Sequence, residues 1–118
     1  GAATQSIVAS EILAAGDFVN IFDNAGVPNC RKADSTNNRP ASGFVTAAVS
    51  AAASATVFLS GPNTARSALV SGSLYFLSTA GNISLTAPSA VGNIIQELGI
   101  AANPTTISFD FDAPTTIA

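Results

Sequence analysis

Thr106-Ile107-Ser108-Phe109-Asp110-Phe111-Asp112 alternates polar and apolar side chains without a break. A period of two puts Ile107, Phe109 and Phe111 on one face of a strand and Thr106, Ser108, Asp110 and Asp112 on the other. The same signal recurs upstream. Asp17-Phe18-Val19-Asn20-Ile21-Phe22 is aromatic and β-branched, and Asp23-Asn24-Ala25-Gly26 follows it as turn material. Val27 to Ala33 reads as the returning strand, confined to an edge or bulge by Pro28. Gly43 to Thr46, Thr56 to Leu59, Leu74 to Leu77, Ile83 to Leu85 and Asn93 to Ala102 are further strand candidates, and Gly61-Pro62-Asn63 reads as a stop. Ala47 to Ala55 has high helix propensity. It carries no charged face and spans barely two turns, which is marginal for a helix. It reads as a strand end, a small-residue turn and the next strand, with a short helix as the alternative. The chain is therefore all-β, a compact small barrel or sandwich of about eight to ten short strands.

At 118 residues the chain makes a single β domain spanning 1–118. A faint internal repeat runs through it. Ile12 to Val19 resembles Ala68 to Tyr75, each leads through a strand to an Ala-Gly turn (Ala25-Gly26, Ala80-Gly81), and Thr56 to Ser60 parallels Thr106 to Asp110. Residues 4–60 and 61–112 would then be half-repeats of one β-unit. Chance similarity in an Ala/Ser/Gly-rich chain stands beside that reading. The terminal segments 1–9 and 113–118 look too polar or too peripheral for the core and are expected to act as contact arms.

Composition argues against chemistry. There is no His, no Met and no Trp, one Cys, and seven carboxylates spread along the chain. Acid–base catalysis usually employs His or a tuned carboxylate, and metal centres usually need His or Cys clusters. The expectation is a protein that is not an enzyme, with no catalytic, cofactor-binding or metal-binding residues and no cofactor. A net charge of −3 argues against nucleic acid. No apolar stretch approaches the ~20 residues of a membrane helix, so no membrane partner is expected. Only 9% of residues are charged against 47% hydrophobic. A soluble monomer usually covers itself with more charge, so burial against other chains is expected, with a neutral Ser/Thr/Asn surface as the alternative.

Four candidate sites have ordinary structural explanations. Asp23, Asn24 and Gly26 lack the ligand spacing of a calcium loop and read as a plain turn. Arg31, Lys32 and Arg39 cluster, but Asp34 and the Ser35-Thr36-Asn37-Asn38 run make the segment a solvated loop. Cys30 has no His partner and reads as a half-buried structural thiol. Asp110 and Asp112, roughly 7 Å apart along a strand and with Glu97 as a third acid, are the sole glycosidase-like pattern. Acids on a solvent face also keep strands from aggregating, which is the plainer account.

Several segments carry a resemblance. They are Ala14 to Val19, Gly43 to Val49, Gly72-Ser73-Leu74-Tyr75-Phe76-Leu77-Ser78, and Val91 to Ala101 with its Gly99-Ile100-Ala101 end. Together they resemble small β-structured virion proteins of tailed phages, of the head decoration (cement) or head-fibre type. The resemblance implies a structural protein in the virion that binds the outer surface of a phage capsid and stabilises it. Its partners would be the major capsid protein and other copies of itself, most often as a trimer. A fibre module binding a host receptor or glycan is the alternative. The resemblance transfers no contact residue.

Overall fold

A computed structural model describes residues 3–117, and every regular element among them is a strand. With no helix among these residues, none is long and apolar enough to cross a membrane. β1 (Thr4–Ala9), β2 (Phe18–Asn24), β3 (Val27–Lys32), β4 (Gly43–Phe44) and β5 (Ser54–Phe58) close into a barrel in the order β1-β3-β2-β4-β5. β6 (Gly61–Asn63), β7 (Leu74–Leu77), β8 (Ile83–Ser84), β10 (Glu97–Asn103) and β11 (Thr106–Phe109) form an open sheet ordered β6-β11-β10-β7-β8. β9 (Ile94–Ile95) pairs with β12 (Thr115–Thr116).

The β2–β3 hairpin turns through Ala25 and Gly26, at φ of 52° and 87°. Two successive positive φ values are what a tight hairpin with the sheet's own twist requires, and Gly26 meets the demand without strain. Ala80 and Gly81, at φ of 50° and 80°, make the corresponding turn between β7 and β8.

Barrel and sheet share one pairing scheme. β1–β5, β2–β3, β2–β4 and β4–β5 in the barrel correspond to β6–β11, β7–β8, β7–β10 and β10–β11 in the sheet, all antiparallel. Register agrees as well. Phe18 faces Phe44 and Val19 faces Gly43, as Leu74 faces Ile100 and Tyr75 faces Gly99. Even the turn hydrogen bonds match: Gly16 N–H donates to Val45 O at 2.8 Å and Gly72 N–H to Ala101 O at 2.7 Å. The difference lies in closure. Parallel pairing of β1 with β3 seals the barrel, whereas β6 and β8, only three and two residues long, stay on opposite edges of the sheet and do not pair.

Two cores result. Ile7, Ala9, Leu13, Val19, Cys30, Val45, Ala55 and Val57 fill the barrel. The larger core lies between the barrel's outer face and the sheet's inner face, where Phe18, Ala41 and Phe44 meet Leu69, Tyr75, Leu77, Leu98, Ile107 and Phe109. Four phenylalanines bind this seam, with Phe44 stacked on Phe58 at 5.3 Å and edge-on to Phe109 at 6.0 Å.

The structure corrects several expectations. Residues 4–9 are no arm: β1 is a barrel wall, and Ile7 and Ala9 point into its core. Its polar half, Thr4 to Ser6, faces solvent and hid the strand. The segment 113–118 also folds back on its own chain as far as it is described, since Thr115–Thr116 pairs with β9 while both side chains stay exposed. Gly1, Ala2 and Ala118 lie outside the described residues. Gly61-Pro62-Asn63 is a strand, not a stop, because Pro62 sits on the sheet's outermost strand where it owes no N–H. β11 ends at Phe109, so Phe111 leaves the core face and is 55% exposed. Arg31 and Lys32 belong to β3, with the loop beginning after them. Cys30 is wholly buried, with Sγ 4.0 Å from Ile7 O, and burial pushes its thiol pKa up.

Candidate functional site

β10 is bent twice. Its register slips between Glu97 and Gly99 against β7, and again between Ala101 and Asn103 against β11. Each slip sets two residues against one, which sharpens the local twist and re-aims side chains. Gly99 makes the first bend feasible. Its φ is 144°, and a Cβ there would stand 1.8 Å from Ser108 O. Beyond β11 the chain turns across the bend. Asp110 N–H donates to Leu98 O at 3.3 Å, and Asp112 O accepts from Gln96 Nε2 at 3.0 Å. The result is a shallow open groove of about 410 Å³, lined by Leu74, Glu97, Leu98, Gly99, Ile100, Asp110, Phe111 and Asp112.

The groove thus brings Glu97, Asp110 and Asp112 together, but by a bulge and a chain reversal, not by shared strand periodicity. Asp110 and Asp112 are not on a solvent edge, for β11 lies between β6 and β10 and both acids follow its end. All three acids are exposed, as are Leu74, Ile100 and Phe111. The groove is open to water, with an apolar floor and an acidic rim.

Gln96 is the residue that sequence reading missed. Fully buried, it accepts from Ala41 N–H at 2.7 Å and donates to Ala41 O at 2.9 Å, in addition to its bond to Asp112. Its amide behaves like a peptide group of an extra strand, joining the barrel's β3–β4 loop to the groove wall. Its placement between the apolar pairs Ile94-Ile95 and, past Glu97, Leu98-Gly99 is the available signal.

A second, half-buried feature lies on the barrel. Arg31 Cζ stands 4.1 Å over the Phe22 ring, and Arg31 Nε donates to Asn20 Oδ1 at 3.0 Å. Arg39 is close enough that its charge, after desolvation, helps lower the Arg31 pKa, while Glu11 opposes this. Lys32 is taken up elsewhere, in an ion pair of 2.6 Å with the buried Asp17. Among the described residues no group of His, Cys, Asp or Glu is arranged to hold a metal ion.

No family model matches the sequence, and no curated protein matches it. Among solved structures, the chain is similar to the head fibre gp8.5 N base of bacteriophage phi29. The superposition has a TM-score of 0.62 and covers 93% of this chain and 95% of that one, at 9% sequence identity. The two chains share a fold. At that identity, the likeness extends to architecture alone.

Proposed function

We propose that this chain is a structural protein of a phage virion, a β module that sits on the outer surface of the head and binds without turnover. The observation that carries the reading is the near end-to-end fold likeness to a phage head fibre base, over 93% of this chain. Low charge supports it, because a surface with 9% charged residues and an apolar groove is suited to lasting contact. The partners under this reading are the major capsid protein and further copies of the chain, with a trimer as the expected oligomer. Residues 4–60 and 61–112 act as two copies of one β-unit within a single domain. Their shared pairing scheme favours that account.

Within this reading two roles differ. As a cement protein the chain would reinforce capsomer junctions, and as a fibre base it would anchor a longer appendage. A receptor- or glycan-binding module is the second reading, favoured by the exposed Phe111 beside carboxylates, a pairing on which a sugar can stack and hydrogen-bond. Immunogold labelling of intact virions carrying the protein, with a stress assay on particles that lack it, separates them. Label over the head with weaker depleted particles supports the cement role. Label over the head with equally robust particles supports the fibre base. Label at tail tips favours receptor binding, and no label on virions overturns the proposal.

A further inference from the structure

The shared pairing scheme shows what is unusual about the groove floor. In the barrel, the outward positions on β2 and β4 are Phe18 and Phe44, and both are fully buried because the sheet covers them. The corresponding outward positions on β7 and β10 are Leu74 and Ile100, which also face each other across the ladder. They are 36% and 53% exposed, and Phe111 beside them is 55% exposed. The same face of the same scheme is covered in one half and bare in the other.

The charges add direction. Of the seven carboxylates, Asp17 pairs with Lys32, Glu11 accepts from Lys32 N–H, Asp23 from Gly26 N–H, and Asp34 from Thr36 and Asn37. Among the described residues Glu97, Asp110 and Asp112 have no such side-chain partner, and all three line the groove. Of the four cations, Lys32 is paired and Arg66 is turned inward to Gly16 O. Arg31 on β3 and Arg39 in the loop that follows remain, close enough for their charges to interact, with the charge of Glu11 opposing that effect at Arg31. Arg31 is already held in place by Phe22 and Asn20, so little side-chain freedom is left to lose on docking.

We propose that copies of this chain join through unlike patches, the acidic apolar groove of one receiving the Phe22–Arg31 platform and Arg39 of the next. The contact rests on the oligomeric reading given above and assigns its two faces. Phe22 would cover Leu74, Ile100 and Phe111, completing the burial that Phe18 and Phe44 already have, while the guanidinium groups meet the acidic rim. Each copy gives one patch and receives the other.

Charge reversal on the full chain tests it, with mass from light scattering and native mass spectrometry as readout. Glu97→Lys with Asp110→Lys and Asp112→Lys should weaken self-association roughly tenfold or more, as should Arg31→Glu with Arg39→Glu, because like charges then face each other. In a mixture of the two variants both contacts between unlike copies again set opposite charges together, but a ring with an odd number of copies still holds one contact between identical copies, so the decisive sample is the combined variant, in which association returns. Should the reversals perturb folding by circular dichroism, Glu97→Gln with Asp110→Asn and Asp112→Asn offers an isosteric version, expected to weaken association and flatten its salt dependence. A wild-type oligomer untouched by either set, or one that the combined variant fails to restore, overturns the assigned faces and leaves the oligomeric reading intact. A wild-type chain that stays monomeric at high concentration overturns both.

Discussion

Phe109 on β11 and Phe18 on β2 lie with ring centroids 5.4 Å apart, their planes tilted by 58°. This contact joins the sheet to the barrel, because Phe18 belongs to the barrel's outer face and Phe109 to the sheet's inner one. Tilted pairs at this spacing are favourable beyond the area they bury. Phe109→Ala should therefore cost about 3–5 kcal/mol of folding stability, a large share of the roughly 5–15 kcal/mol of a small domain. Phe111→Ala, at an exposed site two residues on, should change stability by less than about 0.5 kcal/mol. Urea melts of the two variants measure the contrast, and equal losses would show that Phe111 is also a core residue.

Gly99 is irreplaceable for a reason of space as well as φ. A methyl group there would meet backbone, Ser108 O at 1.8 Å and Ser108 C at 2.9 Å, which cannot swing aside like a side-chain tip. Gly99→Ala should cost roughly 3 kcal/mol or more through strain and forced backbone movement. Gly72→Ala provides the comparison: its φ is similarly positive at 82° but nothing lies within 4 Å, so only conformational strain of about 1 kcal/mol remains. Thermal melts should rank wild type, Gly72→Ala and Gly99→Ala in that order.

Much of this architecture is legible in the sequence. Alternation at 106–109, the Ala-Gly turns and the apolar runs at 18–22 and 74–77 each announce a strand or hairpin through local chemistry. Phe111 misled because alternation continues past the point where β11 loses its partners, and periodicity does not report where pairing stops. β1 was obscured by its solvent-facing Thr4, Gln5 and Ser6. β9 broke away from β10 because Gln96 satisfies Ala41 across 55 residues, a partner that local sequence does not reveal. Glu97, Asp110 and Asp112 stand out in the sequence as acids, but their meeting depends on a bulge and a reversal.

Ala25 holds a φ of 52° next to Gly26, a conformation that costs an L-residue with a Cβ about 1 kcal/mol. Asn tolerates it better and is the preferred partner of Gly in this turn. Ala25→Asn should raise stability by about 0.5–1 kcal/mol. Both Ala25 and its neighbours in the turn are exposed, so no packing is lost. A melting temperature that falls instead would mean the turn is not of this type.

Cys30 offers a pH-dependent readout. Burial raises its pKa above the ordinary value of 9.0, so the folded state holds the thiol proton more tightly than the unfolded chain does. The sign follows from linkage: the contribution is fully present below the unfolded pKa and is lost as pH rises past it. Stability should be flat from this group up to about pH 8 and decline above pH 9. Cys30→Ser would leave a hydroxyl buried among apolar side chains, so Cys30→Ala is the better control, and its melting curve should lack this component of the alkaline decline. Thiol labelling of the native protein should be slow at neutral pH and accelerate with denaturant.

Gln96 ties three things together: the loop before β4, the break between β9 and β10, and the groove wall at Asp112. Gln96→Leu keeps the volume and removes the bonds, leaving Ala41 N–H and C=O buried without partners. Each orphaned group costs about 1–3 kcal/mol, so a loss of roughly 3 kcal/mol is expected. Gln96→Glu discriminates between the roles of the two amide ends. A carboxylate still accepts from Ala41 N–H but cannot donate to Ala41 O or Asp112 O, so two carbonyls would face it. That variant should be at least as destabilised as Gln96→Leu, and lowering the pH should recover part of the loss as the added carboxyl protonates and regains a donor. Hydrogen exchange at Ala41 N–H supplies the local test: slow in the wild type, and faster in Gln96→Leu beyond what the change in global stability accounts for. Exchange that tracks global stability alone would mean that Ala41 is held by the loop itself, and that the groove wall does not depend on Gln96.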